Sequence, residues 1–77
     1  MYYFDCYEPG LQLKDDEGVH LPDIDEARSF AIKGIRCMLA AQLRDGCLDL
    51  TGSVSIRDAS GARVLTIPYT EAVHVHV

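Results

Sequence analysis

Small and apolar residues recur at Ala27, Phe30, Ala31, Gly34, Ile35 and Met38, a three-and-four spacing that draws one stripe along a helix. Ile32, Leu39 and Leu43 widen the stripe, and Arg28, Lys33, Arg36, Gln42 and Arg44 form the polar side. The start is marked by Asp23 as N-cap with Glu26 three residues on, a capping-box arrangement. Asp23, Asp25 and Glu26 place negative charge at the positive end of the helix dipole, and Pro22 holds the entering chain extended. Arg44 in the last turn and Asp45-Gly46 beyond it mark the stop. The pattern predicts one helix from Asp23 to Arg44, about 30 Å long. Alone in water such a helix is marginal, so its stripe needs a sheet or a partner to cover it.

The period changes to two on both sides of the helix. Tyr2 to Tyr7 alternates around Asp5; with Asp5 toward water, Tyr2, Phe4 and Cys6 point inward and Tyr3 and Tyr7 outward. Glu8-Pro9-Gly10 is a turn, and Leu11-Gln12-Leu13 returns as a short strand. The stretch from Lys14 to Gly18 reads as a polar loop, and Val19-His20-Leu21 as a strand fragment leading into the helix. After the helix, Ser53 to Arg57 alternates with Val54 and Ile56 on one face, Asp58-Ala59-Ser60-Gly61 reads as a hairpin loop, and Arg63 to Ile67 returns. Pro68 ends that strand or puts it at an edge. Thr70 to Ala72 reads as a turn, and Val73 to Val77 as a final strand or a frayed tail. The order predicts a single α+β domain over 1–77: two β-hairpins flanking one long helix (ββαββ), an antiparallel sheet with the helix on one face. The bare face would carry Tyr3, Tyr7 and Val64, a surface for self-association. Gly34, inside the helix, is expected where helix and sheet approach closely.

Bulk properties narrow the class of function. A 77-residue chain builds a thin core, which a partner subunit, a metal or disulfides commonly reinforce. The net charge of −5 disfavours nonspecific binding to nucleic acid or an anionic membrane. Cys6, Cys37 and Cys47 are odd in number and form no C-x-x-C, so free thiols are expected. No secretory signal or spanning apolar run is visible, and a cytoplasmic location is the expectation.

Candidate chemistry is sparse. His74 and His76, two apart, would share one face of a strand about 7 Å apart, a spacing that seats a metal if His20, Cys6, Cys47 or a carboxylate completes the shell. Two surface histidines alternating with valines give the same pattern. Asp15-Asp16-Glu17-Gly18 lacks the ligand alternation of a calcium loop and reads as a solvated turn. Capping explains Asp23, Asp25 and Glu26 without acid–base work. The glycines form no phosphate-binding fingerprint, and no base, nucleophile and oxyanion donor can be assembled, so neither an enzyme nor a cofactor is indicated. Tyr2, Tyr3, Phe4 and Tyr7 have the makings of a base-stacking platform, against which the acidic balance weighs.

The ordered set Tyr2-Tyr3-Phe4-Asp5, Asp16-Glu17-Gly18, Leu21-Pro22-Asp23 with Ala27 and Ala31, Arg57-Asp58 with Gly61, then Val64-Leu65 and Ile67-Pro68-Tyr69 resembles a family of small proteobacterial proteins known only as a domain of unknown function. The resemblance spans nearly the whole chain and implies a stand-alone cytoplasmic domain with no known activity. Residues 2–40 are more remotely similar to HicB-type antitoxin domains, which block a small RNA-cleaving toxin; no DNA-binding tail follows here. The reading is a non-enzymatic module that self-associates or docks on one protein partner. The alternatives are an antitoxin-like or nucleic-acid-linked regulator, and a metal-binding protein through His74 and His76.

Overall fold

The computed structural model describes residues 1–74. Its elements are β1 (Tyr3–Glu8), β2 (Leu11–Leu13), α1 (Ile24–Arg44), β3 (Ser53–Arg57), β4 (Arg63–Pro68) and a 3-10 turn (Tyr69–Glu71). The α+β class and the ββαββ order follow the sequence pattern. Local chemistry sets the helix ends. The Asp23 side chain accepts from the Glu26 backbone N–H at 2.9 Å, and Gly46 takes positive φ just past the C-terminus.

The four strands form one antiparallel sheet in the order β2-β1-β3-β4. The second strand of each hairpin, β2 or β4, is therefore an edge, and the first strands, β1 and β3, meet at the centre across the helix connection. Asp58 shapes the second hairpin: its carboxylate accepts from the Ser60 and Ala62 N–H groups, and Gly61 adopts φ +88°. Its hydrogen bonds, that to the Ser60 hydroxyl foremost, hold the Asp58 carboxyl below its ordinary range. β4 ends at Pro68 and lies at an edge, as the missing N–H requires.

The helix lies over β3 and β4. Ala27, Ala31, Ile35 and Leu39, one every four residues, are buried against Val54, Ile56 and Ile67. This line runs to one side of the stripe's expected centre, so Phe30 and Leu43 are exposed and Met38 is half-buried. Tyr69 and Ala72 close the core, and Arg36 Nε donates to the Ala72 carbonyl at 2.6 Å. Val19 makes a single bridge to Tyr2 in place of the expected strand fragment. Val73 and His74 lie outside any strand, and the remainder of the expected final strand, including His76, lies outside the described residues.

Asp5 corrects the expectation that it faces water. It stands on the sheet face opposite the helix and is only 3 % exposed. Arg57, on the neighbouring strand, grips it with two bonds, Nε to Oδ2 at 2.6 Å and Nη2 to Oδ1 at 3.1 Å. The same Nη2 donates to the Asp15 carbonyl at 2.9 Å, and the Asp15 N–H donates to Asp5 Oδ1 at 2.9 Å. Asp15 answers with its own carboxylate, accepting from the N–H groups of Phe4, Glu17 and Gly18. The acidic loop is thus a fastening: it satisfies the β1 amide that β2 is too short to reach. The Arg57 hydrogen bond holds the Asp5 carboxyl below its ordinary range against the opposing effect of burial. Burial also opposes ionisation of Asp15, but its three backbone donors outweigh it and lower that pKa as well.

Candidate functional site

Because α1 covers β3 and β4, the helix-side face of β1 and β2 is left open beside it. The result is an apolar groove of about 260 Å³ lined by Phe4, Cys6, Phe30, Ala31, Gly34, Ile35, Met38 and Val54. Alternation along β1 points Phe4 and Cys6 into it. Helical spacing brings Phe30, Gly34 and Met38 onto the flank facing β1. The Phe30 ring tilts onto Phe4 with centroids 5.0 Å apart. Cys6 pairs in register with Leu13, so Leu13 and, two residues back, Leu11 stand on the same sheet face as the lining. Leu11, Leu13 and Phe30 are 49 %, 56 % and 45 % exposed, forming an apolar lip to the groove.

Gly34 reverses the expected reason for its presence. A Cβ built on it meets no atom within 4 Å, so close packing against the sheet does not require glycine. Its backbone is ordinary helix, and its effect is to leave the groove wall low. Gly34→Ala is therefore expected to stabilise the fold by about 0.8–1 kcal/mol, raising Tm by about 4–8 °C in a thermal melt.

The groove holds no polar group that could orient a reacting molecule. Of its lining residues Cys6 alone is a candidate nucleophile, and burial, with Glu8 and Asp5 nearby, pushes its thiol up and away from the reactive thiolate. Cys37 and Cys47 are exposed free thiols. The opposite sheet face differs in character from the expected apolar surface. Arg57 stacks over Tyr3 at 5.0 Å and Arg63 over Tyr7 at 5.6 Å, with Arg63 Nη2 donating to the Tyr7 hydroxyl. Tyr3 and Tyr7 are half-buried there, interleaved with Asp5, Ser55 and Thr66.

His74 lines a second hollow with Leu39, Leu43, Leu48, Leu50 and Val73. Among the described residues no three His, Cys, Asp or Glu side chains gather as a metal site. Among the same residues no helix is long and apolar enough to cross a membrane.

The model of a domain of unknown function (DUF6894) matches residues 1–70. The chain belongs to that family. No curated protein and no solved structure matches it. Within this DUF6894 chain the Tyr-Phe-Asp, Asp-Glu-Gly and Arg-Asp segments of the sequence meet at one place, the Asp5–Asp15–Arg57 fastening, which is structural. The groove on the other side of the sheet drew no motif in the sequence. Its signal was available in two places: Phe30, Gly34 and Met38 sit to one side of the four-residue repeat from Ala27 to Leu39, and Leu11-Gln12-Leu13 is apolar at both ends though only three residues long.

Proposed function

We propose that this chain is a non-enzymatic protein-interaction module that receives a bulky apolar segment of a protein partner in the groove between α1 and β1. The supporting observation is the lining itself: aromatic, aliphatic, thioether and thiol side chains, with an exposed lip of Leu11, Leu13 and Phe30. Sites for small polar substrates place a few convergent polar groups in an apolar pocket, and catalysis needs an acid, a base or a nucleophile there. Those groups are lacking in this lining, and the volume suits one or two apolar side chains. An acidic net charge and a polar, Arg-stacked opposite face direct apolar contact to this side of the sheet.

The test is photo-crosslinking in the native cell with a photoreactive residue at Phe30. A defined protein adduct is expected, absent when the same residue replaces Ser29 on the solvent side of the helix. Gly34→Trp, which fills the groove from a position open to a side chain, is expected to abolish the adduct while leaving the far-UV circular dichroism unchanged. No adduct at Phe30 refutes the reading.

A further inference from the structure

We infer that a second copy of this chain joins at the lip of the groove, through β2 in a two-fold pairing centred on Gln12. The inference rests on the groove being an interaction site and names the partner that meets its Leu11 and Leu13 lip. Three observations carry it.

The first is the edge itself. β2 is a sheet edge with all three residues exposed. The other edge, β4, carries Arg63 at one end and Pro68 at the other, residue types that blunt an edge, whereas Leu11-Gln12-Leu13 contains neither charge nor proline. The second is register. β1 and β2 are joined by the two-residue turn Pro9-Gly10, which makes the flanking Glu8 and Leu11 a hydrogen-bonded pair. Antiparallel alternation then makes Tyr7 and Gln12 a non-bonded pair, so the Gln12 N–H and C=O point away from β1. A copy of β2 laid antiparallel about Gln12 would exchange both bonds at that residue. It would also set Leu11 beside the copy's Leu13, twice, on the groove face.

The third is area. A folded monomer of 8.5 kDa exposes about 4,650 Å² by the usual scaling with mass. This chain exposes 5240 Å². The excess is about 600 Å² per copy, surface that a lone domain of this mass does not ordinarily leave open. Its radius of gyration, 12.7 Å, likewise exceeds the roughly 11.5 Å of a compact chain of this length. The pairing makes one eight-stranded sheet with both helices on the same side and the exposed leucines and Phe30 of both copies in the trough between them.

Sedimentation velocity on the full chain tests this. A dimer of twice the 8.5 kDa chain mass is expected. Gln12→Pro removes the outward N–H without touching the β1–β2 ladder and is expected to raise the dimer dissociation constant about 10-fold or more. Leu11→Lys and Leu13→Glu should each dissociate the dimer, and the two together should restore it, because position 11 faces the copy's position 13. That rescue holds even if the proline variant folds poorly. A chain that stays monomeric to about 1 mM, or a dimer indifferent to Gln12→Pro and to the charge exchange, overturns the pairing. A crosslink at Phe30 to a different protein would then preserve the interaction reading while removing self-pairing.

Discussion

Asp5→Ala will cost about 3–5 kcal/mol of folding stability, because it leaves the Arg57 guanidinium without its buried partner and removes the acceptor for the Asp15 N–H. For a domain of this length total stability is on the order of 4–12 kcal/mol, so the variant should lose about a quarter of it or more. Chemical denaturation at neutral pH checks the value. The pH dependence checks the cause. The Asp5 pKa is lowered in the folded chain, so the folded state binds the proton less tightly than the unfolded state, whose carboxyl titrates near 3.9. The contribution of the pair is therefore complete above about pH 5 and fades as the pH falls through about 3.9. It is gone below the folded value. Asp15, also lowered, acts in the same direction. The stability gap between the native chain and Asp5→Ala should close across that window; a gap that stays constant would show that lost packing, not charge, sets the cost.

Gly52→Ala is expected to cost about 3 kcal/mol, at the upper end for overpacking a core. A Cβ at Gly52 would overlap the Tyr69 ring on one side and stand 2.8 Å from the Tyr7 carbonyl oxygen on the other, so it has no direction in which to relax. Tyr69 is itself buried, its N–H donates to the Gly52 carbonyl at 3.0 Å, and its hydroxyl donates to Glu8 at 3.1 Å. Burial and the Glu8 carboxylate both raise the Tyr69 pKa, so the hydroxyl stays a donor throughout the stable range. The urea midpoint should fall with an unchanged slope. In a Tyr69→Leu background the same change should cost less, and equal costs would show that the ring is not the obstacle.

Neither of these two sites was legible in the sequence, whereas the elements around them were. The helix was legible because its signals are local: Asp23 caps a residue three positions away, and Gly46 turns the chain just past Arg44. The hairpins were legible for the same reason, through Pro9-Gly10 and through Asp58 with Gly61. Asp5 was misread because its partner stands 52 residues away, across a strand pairing that alternation alone does not specify. Gly52 carries no local signal of its role because the ring that crowds it comes from beyond β4. The groove was hidden by a rotation: which flank of an amphipathic helix stays open depends on the strands beneath it. The order β2-β1-β3-β4 with α1 over β3 and β4 is a tertiary choice.

The antiparallel union of β1 with β3 also constrains how the chain is made. On the ribosome the opening hairpin and the helix emerge well before Ser53 does, and for that interval β1 has no inner neighbour. Two strands alone are marginally stable at best in water, and the helix has nothing yet to lie on. Folding must therefore wait until the second hairpin clears the exit tunnel. The sheet is completed late, when β3 reaches β1.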